Sequence, residues 1–371
     1  MTGRRSACGS GIWPCVLYRL GFLLLLGFLS ACGVHSGAVL RESSLNFNQA
    51  LQRALSEQML LNLVRLRYGE PPVFLQVTSI STQFSFSGNA GAGAEINEAY
   101  PDSYSLNLGF SYAARPTFTF VPLQGEEFAK RLLSPIRLGH LLLLLNSGWR
   151  ADRVLRLCVQ RLNDIPNAPT ASGPTPIQVP RFRRFLRVSR DFEALRRRGY
   201  LRFLYLEKGG SPFPALKISS AARDLPAYTE LLRLLRLEPA PYYRLVGPEG
   251  PPAPNVLRVE TRSLIGVLFY LSQGVEVPEE DLQAGRAART LEAGGAPFNW
   301  SEVLGDLFRV SSSATLPRRA LLAVRYRGHW FYIADQDRSS KATFILLQQL
   351  FALEASKGKG ISPLLTLPVA Q

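Results

Sequence analysis

Two stretches decide how this chain folds: SISTQFSFS at residues 79–87 and SYSLNLGFSY at residues 103–112. In both, apolar or aromatic residues alternate with serine, glutamine, asparagine or glycine. A period of two places alternate residues on opposite faces of a β-strand. We therefore predict a long β-hairpin over residues 79–120, with one apolar face and one face of small polar residues.

The polar face of this hairpin lacks the lysines and arginines that solvent-facing strands commonly carry. Two interpretations follow. In the first, which is the more ordinary one, the hairpin packs on its own domain or on a partner. In the second, it faces lipid within an oligomer that pairs its edges. Strands of about 9–11 residues cross a bilayer, and unpaired backbone groups are not tolerated there.

The rest of the chain mixes helical and extended patterns, which predicts an α+β fold class. Apolar residues recur at helical spacing between Asn46, a candidate N-cap, and Gly69, a stop signal. We predict a long amphipathic helix there, over residues 47–68. Further helices are predicted over residues 125–133, 136–147, 150–162, 190–198, 228–237, 264–271 and 341–355, and strands over 185–189, 200–206, 215–219, 256–260, 321–326 and 330–334.

Proline is concentrated between residues 166 and 180, with Ser172 and Gly173 among the prolines. This composition is typical of a linker. We therefore predict a Pro-rich linker over residues 166–180 between two domains. The first is a helix, hairpin and helices over residues 45–165, and the second is a mixed α+β domain over residues 181–371.

The N-terminus carries the pattern of an export signal. Arginines precede a leucine-rich run, which leads into Leu29-Ser30-Ala31-Cys32. The apolar run is shorter than the roughly 20 residues of a membrane-spanning helix. The tetrapeptide resembles the lipobox of bacterial lipoproteins. This resemblance implies a signal peptide over residues 1–31, cleavage between Ala31 and Cys32, and a lipid (palmitate) on Cys32. The alternative is an ordinary secretory signal that is cleaved elsewhere.

The residue after the lipobox cysteine is Gly33 rather than aspartate. By resemblance to enterobacterial sorting, this implies an anchor in the outer membrane that faces the periplasm, with residues 32–44 as a tether. The membrane is then a partner through the lipid on Cys32. Residues 115–128 and 325–333 also resemble segments of hypothetical proteobacterial lipoproteins. That group has no assigned activity, so the resemblance supplies no site residue.

The chain is strongly basic, with 43 lysines and arginines, 28 acidic residues and a formal net charge of +15. Export argues against a nucleic-acid partner and favours phosphate-bearing lipids or acidic glycans. Arginines are densest over residues 181–202, where helix electrostatics and solvation offer an alternative explanation. The candidate residues for binding an anionic surface are Arg183, Arg184, Arg187, Arg196, Arg197 and Arg198.

Motifs that carry chemistry are scarce. The three histidines, His35, His140 and His329, are scattered and lack the spacing of metal ligands. The sequence contains neither a Gly-x-Ser-x-Gly elbow nor a phosphate-binding glycine loop. Cys158 lies in an apolar stretch, which predicts a buried structural thiol. We therefore predict no metal, no cofactor and no catalytic residue.

These observations favour a non-enzymatic, lipid-anchored envelope protein with a structural or assembly role. It would act as a homo-oligomer or with another envelope protein, with the hairpin over residues 79–120 at a membrane or subunit interface. Two alternatives stay open. One is an exported cell-wall or glycan-active hydrolase, for which a cleft with His140 or His329 beside a carboxylate would be the sign. The other is a module that binds anionic glycans or lipids through the block from Arg181 to Arg202.

Overall fold

The structure is a computed structural model that describes residues 35–95 and 103–355. The predicted signal peptide and the predicted lipidation site, Cys32, lie outside the described residues. The chain is of the mixed α+β class, as predicted. It divides into two compact units. Within the described ranges, the first contains residues 35–54, 80–95 and 103–118, and the second contains residues 55–79 and 119–355.

The first helix, α1 (His35–Arg67), contributes to both units. It is followed by Gly69 with a φ of +76°, a left-handed conformation that favours glycine after a helix. The predicted helix over residues 47–68 is therefore confirmed, but it begins earlier. The predicted tether over residues 32–44 is helical from His35, because no proline and no glycine after Gly37 interrupts this stretch.

Two long strands, β1 (Leu75–Glu95) and β2 (Ser103–Pro122), form a two-stranded sheet of their own. The extended backbone predicted for the hairpin over residues 79–120 is confirmed. Burial of Leu106 or Leu108 would distinguish the two interpretations of this hairpin, but these side chains lie outside what the structure describes. In the first unit the rings of Phe47 and Phe118 meet edge to face, with their centroids 6.4 Å apart.

The second unit is built around a six-stranded sheet in the order β4-β3-β8-β7-β6-β5, antiparallel except for the parallel pair of β7 and β8. Buried and part-exposed residues alternate along β8, as expected for a strand with one face on the core. The strands are β3 (Val159–Leu162), β4 (Ile165–Pro166), β5 (Leu201–Lys208), β6 (Ser211–Ile218), β7 (Tyr243–Val246) and β8 (Val256–Thr261).

Nine further helices complete this unit, of which α4, α5 and α6 pack successively against one another. Among the residues that the structure describes, no helix is both long and apolar enough to cross a membrane. The helices are α2 (Glu126–Leu133), α3 (Leu138–Asn146), α4 (Ala151–Cys158), α5 (Arg183–Arg197), α6 (Pro226–Leu235), α7 (Leu264–Ser272), α8 (Glu279–Gln283), α9 (Ser301–Leu304) and α10 (Arg338–Ala355).

A three-stranded antiparallel sheet lies near the C-terminus, in the order β10-β11-β9. The predicted hairpin over residues 321–334 is confirmed, with Arg327 and Gly328 both at positive φ in its turn. A two-residue turn of this kind matches the right-handed twist of the two strands it joins. The strands are β9 (Ser311–Ser313), β10 (Ala320–Tyr326) and β11 (His329–Ala334).

The proline-rich stretch does not divide the chain as predicted. Both of its flanks lie in the second unit, and β3 and β8 from opposite sides of it pair in one sheet. Its first half forms a 3₁₀ turn (Pro169–Ser172) in which Ala171 is fully buried. Nearly all buried hydrophobic residues from 159 to 355 belong to one hydrophobic core, so residues 166–180 cross the surface of that core rather than link two cores.

Two local predictions were wrong. The strand predicted over residues 185–189 is the beginning of α5, because Phe185, Val188 and Phe192 recur at helical spacing and are fully buried. The helix predicted over residues 150–162 ends at Cys158, and the chain continues directly as β3. There the pairing with β8 is decided by tertiary contacts rather than by local pattern.

Candidate functional site

The predicted arginine block lies mainly on α5. One face of this helix is buried in the core through Phe185, Val188 and Phe192, so the arginines project from the rest of its surface. All six candidate residues fall on α5 or directly after it, and five of them are exposed; Arg196 is partly buried. The structure therefore brings the predicted anionic-surface residues onto one element.

Three of these arginines, Arg183, Arg187 and Arg196, have hydrogen-bond or ion-pair partners within the protein. Arg183 Nη2 donates to a carboxylate oxygen of Glu302 at 2.9 Å, and Arg187 Nη1 lies 4.0 Å from Glu230 Oε1. Both pairs are largely exposed, so each contributes little to stability. Arg184 lies close enough to Glu230 for its charge to contribute to the lowered pKa of that carboxyl. Arg197 and Arg198 have no ion pair with a carboxylate among the described residues, which leaves them available to an anion.

Arg196 has a structural role that the sequence did not reveal. Its guanidinium donates to the backbone carbonyl of Trp149 at 2.6 Å and to that of Leu145 in the last turn of α3. Carbonyls at the end of a helix lack intrahelical partners, and a cation there also interacts favourably with the helix dipole. Arg196 therefore holds the end of α3 against α5 and is removed from the set of binding candidates.

Asp191 lies on α5 among these arginines with its Oδ2 buried and without a hydrogen-bond partner. Burial, and after it the negative charge of Glu230, raises the pKa of Asp191 to about 6. The positive charge of Arg187 opposes this rise. Of the groups on α5, Asp191 is thus the one whose charge changes just below neutral pH.

A second cluster of charged groups was not predicted from the sequence. Asp281, on α8, is only 1% exposed, and its carboxylate accepts hydrogen bonds from Tyr68 Oη and Arg286 Nη1, both at 2.5 Å. Burial opposes ionisation, but these two donors hold the pKa of Asp281 below its ordinary value. Burial and the bond to Asp281 raise the pKa of Tyr68, so the phenol stays protonated.

Aromatic rings and a second arginine surround this buried carboxylate. Arg327 lies 5.5 Å from the ring centroid of Tyr68 and 5.6 Å from that of Tyr326, and it donates to Glu70 at 2.7 Å. These contacts join the end of α1 to the turn between β10 and β11. Each acid named here has a donor, so the arrangement is that of a structural clamp rather than of a general base.

His140 and His329 each lie beside a carboxylate. His140 Nδ1 is 2.7 Å from Glu354 Oε1, and His329 Nε2 is 3.1 Å from Glu280 Oε1. Neither histidine lines any of four cavities in the described part of the second unit. A cleft containing a histidine beside a carboxylate was the predicted sign of a hydrolase. The carboxylate is present at both histidines, but none of these four cavities contains either histidine.

Other reactive groups are held in the interior. Burial raises the pKa of the Cys158 thiol to about 12, so it stays protonated and is a poor nucleophile at neutral pH. No group of three or more potential metal-binding side chains comes together within residues 35–95 and 103–355. Cys158 therefore behaves as the packing residue that its sequence context indicated.

The largest buried side chain is Arg262, which sequence reasoning also missed. Its guanidinium lies 4.1 Å from the ring centroid of Tyr270 and donates to Ser172 Oγ and to the carbonyl of Asn167, both at 2.5 Å. Burial lowers its pKa to about 10, which leaves it charged at neutral pH. Arg262 thereby fastens the 3₁₀ turn of the proline-rich stretch to the core beside α7.

Comparison of the chain with protein-family models, with curated proteins and with solved structures finds no match in any of the three. What the protein does has therefore to be inferred from its residues and its geometry.

Proposed function

We propose that the protein is a non-enzymatic, lipid-anchored component of the bacterial cell envelope that assembles through its long hairpin. The observation that carries this proposal is the two-stranded sheet of β1 and β2. Its strands are 21 and 20 residues long, and among the described residues no third strand joins them. At about 3.3 Å per residue, strands of this length extend over roughly 65 Å.

Such a ribbon is marginally stable by itself, because two strands bury little surface. Its outer edges also present rows of backbone donors and acceptors that template pairing with another strand. The sequence does not protect these edges with charge, since residues 79–94 and 103–114 contain neither lysine nor arginine. Pairing with the hairpin of a second copy would satisfy the edges and bury the apolar residues of the alternation.

Anchoring through Cys32 suits this role. The lipobox places the lipid at the start of the mature chain, and Gly33 favours the outer membrane with the protein facing the periplasm. Lipid anchors concentrate the copies on one surface, which favours weak contacts between them. The two interpretations of the alternating hairpin sequence differ in what the assembled hairpins contact. In one they pack against protein, and in the other they face lipid.

The proposal is tested by the mass of the full-length protein in detergent, measured by light scattering for two matched variants. Leu108 belongs to the apolar set of the alternation and Asn107 to the polar set. We expect an oligomer that Leu108→Arg dissociates and Asn107→Arg leaves intact, because a charge on the apolar set is buried on assembly. A monomer in the unmodified protein, or equal effects of the two variants, would contradict the proposal.

An anionic surface is the second candidate partner, and one specific observation favours it. Arg197 and Arg198 lie exposed at the end of α5 without an ion pair to a carboxylate in the described part of the chain. Acidic lipids or glycans at the anchoring membrane would supply the missing counter-charge. Binding to anionic vesicles that weakens with salt, and weakens further in Arg197→Gln, is the expected result.

A further inference from the structure

A basic cavity opens at the C-terminal end of the arginine block and shares only Arg202 with it. It has a volume of about 510 Å³ and lies where β5 begins and β6 ends. Cavities of roughly 300–1,000 Å³ are typical of small-molecule sites. Its cationic residues are Arg202, Lys217 and Arg223, and no acidic residue of the described chain lines it.

Two of these cations are direct neighbours on adjacent strands. Arg202 on β5 is the direct antiparallel partner of Lys217 on β6, and both side chains are exposed. Like charges directly opposite each other are unfavourable, because the side chains of such a pair are held within a few ångströms. Neither forms an ion pair with a carboxylate among residues 35–95 and 103–355, so this part of the chain does not supply the counter-charge.

Hydroxyl groups and a third cation line the same cavity. The chain leaves β6 through Ser219 and Ser220 and reaches Arg223 after one 3₁₀ turn. Ser219 Oγ accepts a hydrogen bond from the backbone N–H of Ala221, so its own proton remains to be donated. Three cations and two hydroxyls on three consecutive segments form a donor set that suits an anion with several oxygens.

The remaining wall of the cavity is aromatic and apolar. Tyr200 and Tyr228 line it together with Ile218 and Pro241, and Tyr228 is largely buried. A cavity of this volume is much larger than a single phosphate ion. Aromatic rings and cations that line one cavity suit a ligand with a ring-sized body and a charged group, such as a sugar that carries a phosphate.

We propose that this cavity binds a phosphate monoester carried on a sugar-sized body, with Arg202, Lys217 and Arg223 around the phosphate. A phosphate monoester carries nearly two negative charges and three acceptor oxygens, which matches this donor set better than a carboxylate does. The ligand is either a soluble sugar phosphate or the phosphorylated headgroup of a lipid. The inference goes beyond the proposed assembly and does not rest on it.

The first test is calorimetric titration of the full-length protein in detergent with glucose 1-phosphate, inorganic phosphate and glucose. We expect glucose 1-phosphate to bind, inorganic phosphate to bind more weakly, and glucose not to bind. Arg202→Gln and Lys217→Gln should each weaken binding about tenfold or more, since each removes a charged donor. Arg318→Gln, an exposed arginine outside both the cavity and the arginine block, is the matched control and should bind like the unmodified protein.

A second arm distinguishes the two sources of the ligand. Mixed micelles that contain phosphatidic acid present the same phosphate monoester on a lipid, whereas phosphatidylcholine micelles do not. Competition with glucose 1-phosphate by the first but not the second indicates a lipid headgroup, and the absence of competition indicates a soluble ligand. Failure of every phosphate probe to bind, or equal weakening in Arg318→Gln, would overturn the proposal. Melting curves of the variants verify that each is folded.

Discussion

The phenol of Tyr68 donates a 2.5 Å hydrogen bond to the buried carboxylate of Asp281, which lies 213 residues further along the chain. This single bond ties the residue after α1 to the short helix α8. Arg286 completes the coordination of the same carboxylate. The bond thus connects the helix that leads to the hairpin with the C-terminal part of the second unit.

Removal of this phenol should destabilise the protein. In Tyr68→Phe the Asp281 carboxylate keeps Arg286 but loses its second donor, which costs about 1–3 kcal/mol of unfolding free energy. The measurement is the thermal midpoint at neutral pH, with Tyr205→Phe, an exposed phenol, as the matched control. Because the pKa of Asp281 is lowered, the stabilisation is present above the ordinary pKa of 3.8 and is lost in acid. An equal midpoint for the two variants would contradict this role.

Asp191 should make the folded protein less stable as the pH rises. Its pKa is raised to about 6 in the folded state, so the folded protein binds this proton more tightly than the unfolded chain does. The contribution of the tightly held Asp191 proton to the unfolding free energy is fully present below the ordinary pKa of 3.8 and is lost as the pH rises through about 6. Asp191→Asn should therefore raise the unfolding free energy at about pH 8, by roughly 1 kcal/mol after allowance for solvent screening.

The control for this pH effect is Asp224→Asn, because Asp224 is exposed and lies outside α5. Denaturant unfolding of both variants at about pH 8 and about pH 3.5 provides the comparison. A gain in stability for Asp191→Asn that is the same at both pH values would mean that the effect does not come from its titration.

Neighbouring arginines on α5 should differ sharply in their importance for stability. Arg196→Ala removes two hydrogen bonds to backbone carbonyls, one of them at the end of α3, and should cost about 1–2 kcal/mol. Arg197→Ala changes an exposed residue and should stay within about 0.5 kcal/mol of the unmodified protein. Chemical denaturation of both proteins measures the difference. Equal stabilities would show that Arg196 does not hold α3.

The lipid anchor is tested through Cys32. Cys32→Ala should leave the precursor uncleaved or move the protein from the membrane fraction to the soluble fraction. The measurement is fractionation of Gram-negative cells with and without globomycin, which blocks cleavage of lipoprotein precursors. A Cys32→Ala protein that still matures in a globomycin-sensitive way would exclude the lipobox interpretation.

Much of the fold could be predicted where a local pattern decides the structure. The strict alternation around Phe84 and Phe110 predicts strands, and the spacing of apolar residues before Gly69 predicts α1. The turn at Arg327 and Gly328 was likewise visible, because glycine readily adopts the positive φ that such turns require. In these places short-range periodicity and turn chemistry agree with the tertiary structure.

The remainder depends on partners that are distant in sequence. Val159 begins a strand because it pairs with Thr261 on β8. Pro169 begins a packed turn because Arg262 donates a hydrogen bond to the carbonyl of Asn167 just before it. The proline-rich composition of residues 166–180 is typical of a linker, and nothing in that composition indicates these distant contacts. Similarly, nothing in the spacing of Tyr68 and Asp281 shows that they meet.

The two ends of the second unit meet, and this affects when the protein can fold. Gln348 on α10 donates to Ser56 on α1 at 2.9 Å, across 292 residues of chain. In the export that we propose, the N-terminal segment would emerge first, and such long-range contacts would close only after the last helix had followed. The stretches 79–94 and 103–114 of the hairpin, which lack lysine and arginine, would therefore stay exposed for most of the crossing. We expect nascent copies to depend on a periplasmic chaperone until residue 355 has emerged.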